Sequence, residues 1–257
     1  MILQVENIGK RFGGISALQG VSFAIREGEI YGLIGPNGAG KTTMFNLITA
    51  MFAPTSGQIR FMGERISGLK THRITKKGIC RTFQNIRLFA RLSVMDNVMV
   101  GSHCRGRSGV FSGVLRTKAE RAEERNIRER AEQLLQLVGL YPERDVTAEN
   151  LSYGKQRRLE IARALASEPK LLLLDEPAAG MNEKETQDLA MLIRQIRAQN
   201  ITVLLIEHDM PLVMKLCDRI AVLNFGQKIA EGTPQEVRGN QDVIAAYLGT
   251  DEGGEIA

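Results

Sequence analysis

The sequence predicts an α/β fold built on a parallel sheet buried on both faces, and three stretches predict it. Gly35-Pro36-Asn37-Gly38-Ala39-Gly40-Lys41-Thr42-Thr43 fits the phosphate-binding pattern of Gly, four residues, then Gly-Lys-Ser/Thr. It lies between Ile30 to Ile34, which reads as a strand, and Met44 to Met51, which reads as a helix. Leu171 to Leu174 is apolar throughout and closes in Asp175-Glu176, while Ile201 to Ile206 is followed by Glu207-His208-Asp209. Such runs suit central strands of a covered sheet, and ligands gather at the carboxyl ends of those strands.

In chain order, Leu3 to Val5 and Val21 to Ile25 read as short strands, and Glu29 to Ile34 leads into the phosphate loop. Between the first two, Phe12 offers either a flat face for an adenine ring or one more core side chain; composition alone favours the core. In the loop, Gly35, Gly38 and Gly40 admit backbone angles closed to other residues, so successive N–H groups can turn inward around a phosphate. The helix start behind them adds roughly half a positive charge. Lys41 would reach the outer phosphates, Thr42 would offer its hydroxyl to Mg2+, and Thr43 would bond an inner phosphate.

Gln58 to Met62 reads as a strand, Thr71 to Lys77 as a short helix, and Cys80 to Phe83 as a strand ending at Gln84-Asn85. A Gln at a strand exit can ligate Mg2+ through its carbonyl oxygen. Val94 to His103 is helical, Gly106 to Gly113 is a glycine- and serine-rich surface loop, and Ala119 to Val138 carries Ala131, Leu134, Leu135 and Val138 at helical spacing. Residues 88–150 are therefore expected to form a helical insertion. Ser152, of helix-cap type, precedes the helical run Arg157 to Ser167 and marks a second helix start able to face an anion. Asp175 would hold Mg2+ through water; Glu176, one residue on, points elsewhere and can orient an attacking water. His208, at a matching strand exit, could bond the γ-phosphate and that water. Met191 to Ala198 ends a helix; Arg219 to Leu223 and Lys228 to Ala230 read as strands, Asp242 to Leu248 as a helix, and Asp251 to Ala257 as a loose tail.

At 257 residues the chain fits one domain with an insertion. No apolar run approaches the roughly 18 residues of a spanning helix, and Met1 to Glu6 carries no export signal, so a cytosolic protein is expected. Cys80, Cys104 and Cys217 are odd in number and far apart, which argues against disulfides or a zinc site; His72 and His103 suggest no role. The net charge of +5 hides an asymmetry: residues 1–128 carry 20 Lys or Arg against 8 Asp or Glu, and residues 129–257 carry 14 against 21. The excess lies between Arg60 and Arg128, fitting anionic lipid or the polar loops of a membrane partner, nucleic acid, or simply a solvated face.

The phosphate loop, Gln84, Leu151-Ser152-Tyr153-Gly154-Lys155, Asp175-Glu176 and His208, in that order and spacing, resemble the ATP-binding subunits of ABC transporters over nearly the whole chain. The resemblance implies a P-loop NTPase core of ABC ATPase type from residues 1–87 and 151–257, with an antiparallel β subdomain and a helical insertion over 88–150. It implies ATP and Mg2+ as ligands, Phe12 at the adenine, Thr42, Gln84 and Asp175 at the metal, and Glu176 as catalytic base assisted by His208 and Gln84. It also implies a head-to-tail dimer in which Ser152 to Gly154 contact the γ-phosphate held by the second ATPase subunit.

A narrower resemblance is carried by Cys80 to Asn85, Gly109 to Leu115, Glu176 to Asn182 and Ala245 to Gly249. These look like the larger ATPase of the branched-chain amino acid importers, in which two ATPases pair beneath transmembrane permease subunits fed by a soluble substrate-binding protein. The protein would then sit peripherally on the cytosolic face of the inner membrane. Urea and amide importers and lipid or polysaccharide exporters share the ATPase motifs. A soluble nucleic-acid or ribosome factor would resemble two fused cassettes or carry long coiled coils, neither of which is present, so no nucleic-acid partner is expected. Tyr153, Lys155 and Asn182 stand where the family more often has Gly, Gln and Asp.

Overall fold

The computed structural model of the protein describes residues 1–102 and 118–248. His103, Cys104, the Gly106 to Gly113 loop with the Gly109 to Leu115 stretch, Gly249 and the Asp251 to Ala257 tail lie outside the described residues.

Strands β1 (Leu3–Phe12) and β2 (Ile15–Ile25) open the chain, and β3 (Ile30–Ile34) feeds helix α1 (Lys41–Ile48). β4 (Ser56–Phe61), β5 (Glu64–Arg65), α2 (Thr71–Lys77) and β6 (Ile79–Arg81) follow. Three helices come next, α3 (Val94–Ser102), α4 (Lys118–Leu137) and α5 (Tyr153–Leu165), and then β7 (Leu171–Asp175), α6 (Glu183–Ala198) and β8 (Thr202–Ile206). The chain closes through α7 (Met210–Leu216), β9 (Arg219–Asn224), β10 (Gln227–Gly232), α8 (Pro234–Arg238) and α9 (Gln241–Leu248).

These strands form two sheets: an antiparallel one in the order β2-β1-β4-β5, and a six-stranded one in the order β10-β9-β3-β8-β7-β6, parallel except for β10. Alternation along the central strands divides the apolar core in two. Ile30, Ile34, Leu172, Leu174, Val203, Leu205, Ile220 and Val222 face a cluster with α3 to α7, whereas Tyr31, Leu33, Leu171, Leu173, Leu204, Ile206, Ala221 and Leu223 face one with α1 and the antiparallel sheet. A sheet covered on both faces requires apolar residues at every position, which is why these strands read as unbroken runs.

Several boundaries differ from the sequence reading. β1 and β2 are ten and eleven residues long, paired from Leu3↔Ile25 to Phe12↔Ile15 around the two-residue turn Gly13-Gly14. Their outer halves are half exposed and polar, so they lack the apolar signature of a strand. Phe12 stands on this hairpin, 42% exposed, edge-on to Phe52 at 5.4 Å between ring centres, so it is not a core residue. The helix after the loop begins at Lys41 and ends at Ile48. β6 stops at Arg81, with Thr82 N–H bonding Leu173 O one residue further.

In the segment with α3 and α4, the two chain ends run side by side. Val94 and Met95 N–H bond Val146 and Arg144 carbonyls, and Ala148 N–H bonds Leu92 O. α3 packs on both α4 and α5. Ala131, Leu134, Leu135 and Val138 form the buried face of α4 and the residues just after it.

Candidate functional site

All the strands that carry the motifs point their carboxyl ends at one edge of the large sheet. The phosphate loop leaves β3 there, held between neighbouring elements that leave no room for side chains at two glycines. A Cβ on Gly35 (φ 146°) would stand 2.0 Å from Leu223 O, and one on Gly40 (φ 104°) 2.8 Å from Ala17 O. Gly226 N–H, in the turn after β9, bonds Ala39 O at 3.1 Å. The loop is thereby clasped from two sides.

Lys41 is buried, its Nζ donating to Gly35 O at 2.6 Å and Pro36 O at 2.9 Å. Burial pushes its pKa below the ordinary lysine value, and the carboxylates of Glu176 and Asp175 partly restore it. A desolvated ammonium bonded only to carbonyls gains most from an added anion. Asn37, Gly38 and Thr42 are exposed around it, and Thr43 is half buried.

Glu176 follows β7 with φ 47°, its N–H bonded to Ile206 O of β8 at 2.9 Å. That left-handed backbone, unfavourable for a side chain by about 1–2 kcal/mol, turns Glu176 away from the strand direction of Asp175. Gln84 Nε2 donates to Glu176 Oε2 at 2.7 Å, and His208 Nε2 lies 2.6 Å from Glu176 Oε1. The three residues expected to act in catalysis therefore meet on one carboxylate, reached from β6, β7 and β8.

Sequence reasoning missed two residues here. Arg81 bonds Asp175 Oδ2 and Asn46 Oδ1, both at 2.6 Å, with its guanidinium 5.4 Å from the Phe45 ring and 5.3 Å from the Phe83 ring. Glu207, almost fully buried, accepts from Ala178 N–H at 2.7 Å, His208 N–H at 3.0 Å and Asp209 N–H at 3.4 Å, tying the segment after β7 to the segment after β8. Burial holds its carboxyl above the ordinary glutamate value, against the pull of those three N–H groups. The available signal was an unexplained acid directly before His208 and an unexplained Arg before Gln84.

Ser152 caps α5 by backbone geometry alone, its exposed side chain making no cap bond. Gly154 is buried against α6, where a Cβ would meet Glu185 Oε1 at 2.7 Å. Tyr153 and Lys155 turn to partners within the chain: the Tyr153 hydroxyl accepts from Arg157 Nη2 at 3.1 Å, and Lys155 pairs with Glu143. Asn182 caps α6, accepting from Glu185 N–H while the Glu185 side chain returns the bond.

The donor set suits Mg2+ brought in with a polyphosphate. Among the described residues no three His, Cys, Asp or Glu cluster as a metal cage, while an exposed Thr42 hydroxyl and the Asp175 carboxylate flank the loop motif. Mg2+ commonly takes one or two protein oxygens and completes its shell with water and phosphate.

The model of the ABC transporter family matches residues 18–179, and that of the branched-chain amino acid ATP-binding cassette transporter matches residues 227–253. The chain is 49% identical to the high-affinity branched-chain amino acid transport ATP-binding protein BraF of Pseudomonas aeruginosa and, again at 49%, to LivG of Salmonella typhimurium, each over 96% of this chain and 98% of the relative. Among solved structures it is similar to the ADP conformation of MJ1267, an ATP-binding cassette of an ABC transporter, with a TM-score of 0.85 and 33% identity over 96% of this chain and 98% of that one. It is also similar to the dimeric bacterial ABC transporter cassette MJ0796, at 0.76 and 27% over 90% and 98%.

Proposed function

The chain belongs to the ABC transporter family as an ATP-binding cassette, and from that premise we propose that it hydrolyses ATP to drive the import of branched-chain amino acids. The observation that carries the chemistry is the meeting of Gln84 and His208 on Glu176, beside a buried Lys41 whose ammonium donates to the Gly35 and Pro36 carbonyls. Glu176 takes the proton of the attacking water through its carboxylate, which Gln84 Nε2 and His208 Nε2 keep from swinging away. Lys41 and N–H groups of the loop would face the phosphates, and Phe12, exposed on its hairpin, would offer its ring to the adenine. Thr42, Gln84 and Asp175 would hold Mg2+, which when bound would supply charge neutralisation at the outer phosphates.

The wider assembly follows from the same reading. Ser152 and Gly154 start α5, with Gly154 packed on α6 rather than on the phosphate loop; they suit the γ-phosphate of a second cassette in a head-to-tail dimer. Residues 88–150 would act as a helical subdomain inserted in a core of 1–87 and 151–257, consistent with the backbone bonds that join the two ends of that segment. An apolar cleft of about 330 Å3, lined by Met51, Ile74, Phe83, Phe89 and Val100, opens between the turn after α1 and the elements α2, β6, α3 and α5. It suits a cytosolic loop of a transmembrane permease subunit, which would hold this chain on the cytosolic face of the membrane and link it indirectly to a substrate-binding protein. No described helix is long and apolar enough to cross a membrane. The cargo rests on the two relatives and on the match over residues 227–253.

Glu176→Gln tests the chemistry. ATP binding is expected to persist while turnover falls by about 100- to 10,000-fold. Unchanged hydrolysis would remove Glu176 from the role of base.

A further inference from the structure

Arg157 is one of the largest fully buried side chains of the described residues, and two of its bonds run to the backbone of the segment after β6. Its Nη1 donates to Phe83 O at 2.6 Å and to Glu160 Oε2 at 2.9 Å; its Nη2 donates to Gln84 O at 2.7 Å and to the Tyr153 hydroxyl at 3.1 Å. Glu160, equally buried, receives Phe83 N–H at 3.3 Å and Arg87 N–H at 3.4 Å on its other oxygen. One ion pair on α5 thus grips both polar groups of Phe83 and the carbonyl of Gln84. The Gln84 side chain, one bond away, holds Glu176.

Tyr153 joins this grip to the chain beyond Glu176. Its ring lies 3.4 Å from where a Cβ of Gly180 would stand, and the Arg157 guanidinium is 5.8 Å from its centre. Tyr153 is 45% exposed, and its hydroxyl bond to Arg157 is half buried, at the surface end of a buried pair. A glycine here would leave Arg157 Nη2 one acceptor short and remove the contact between the start of α5 and Gly180.

We propose that Tyr153 and Arg157 are positioning residues that fix Gln84 against Glu176, so that the turn carrying Ser152 and Gly154 sets the catalytic carboxylate of its own chain. The contacts form one line: Tyr153 hydroxyl to Arg157, Arg157 to the Gln84 carbonyl, Gln84 side chain to Glu176, Glu176 to His208. Any load placed on Ser152 and Gly154 is then felt at Glu176 through a line of short bonds. This rests on the reading of Glu176 as the base, which Glu176→Gln tests separately.

Tyr153→Phe removes the hydroxyl and keeps the ring. In the nucleotide-free chain, backbone amide exchange over residues 83–87 is expected to quicken about two- to tenfold, the range one neutral hydrogen bond supports. With ATP and the partner cassette, kcat should fall by a similar factor while KM for ATP stays within about twofold. Tyr153→Gly should deepen both effects, having lost the Gly180 contact as well. Exchange at the wild-type rate would overturn the proposal, because Gln84 would then be fixed without Tyr153. So would faster exchange with unchanged kcat, or a rise in KM alone, which would make Tyr153 a nucleotide contact. The exchange arm needs no hydrolysis, so its failure is distinct from failure of the functional reading.

Discussion

Lys41 shows how the site is prepared for its ligand. In the unfolded chain it titrates at the ordinary lysine value; in the folded chain burial depresses it, so folding favours the neutral amine. The associated stability is present above the unfolded value and is lost as pH falls through the folded one. A triphosphate beside the ammonium favours the charged form and moves the pKa back up. Binding ATP at a pH below the ordinary lysine value should therefore take up protons, and calorimetric enthalpies measured across that range in buffers of different ionisation heat should diverge accordingly. Identical enthalpies would mean that Lys41 is already fully charged without phosphate. Arg81 does the opposite work at Asp175, whose side chain is only 4% exposed. Arg81→Met strands that carboxylate and is expected to lower unfolding free energy by about 3–5 kcal/mol in urea titrations, with Asp175→Asn added to it recovering part. Lys41, Asp175 and Glu176 were legible because each lies in a contiguous pattern with one physical purpose. Arg81 and Glu207 were not, because their partners lie on other strands and only the register of the sheet brings them together.

Helix starts carry much of the function, and two of them are built differently. α6 begins in a closed capping box of Asn182 and Glu185, and the same Glu185 side chain lies against Gly154. α5 begins at Ser152 with the hydroxyl uncommitted. Asn182→Ala removes an N-cap and should cost about 1 kcal/mol in thermal or urea unfolding. Asn182→Asp keeps the acceptor and should remain within a few tenths of wild type, so a large loss from the Asp variant would show that Asn182 does more than cap. The buried strands were readable from composition because both their faces are covered, as with Leu171 to Leu174. The outer halves of β1 and β2 were not, since Lys10, Arg11 and Gln19 sit on a half-solvated hairpin where tertiary pairing overrides apolar patterning. Composition alone misplaced Phe12 for the same reason, favouring a core that the tip of the hairpin does not reach, whereas the resemblance set it at the adenine.

At the scale of the whole molecule, the large sheet separates two apolar clusters and presents one edge where Lys41, Glu176 and His208 collect, while Ser152 opens a different helix beside α6. On the proposed function a single chain would carry two half-sites, and closing two chains head to tail would complete both. That separation predicts a dissociation of effects. Ser152→Arg should leave ATP binding by the isolated chain unchanged, because the chain's own phosphate loop, Lys41 and Phe12 are untouched. In a Glu176→Gln background with Mg-ATP, sedimentation should report association with the partner cassette, and Ser152→Arg should weaken that association by more than about tenfold by placing a long cation in the centre of the contact. Loss of ATP binding by the isolated Ser152→Arg chain would instead place Ser152 on its own nucleotide, and the head-to-tail arrangement would fall with it.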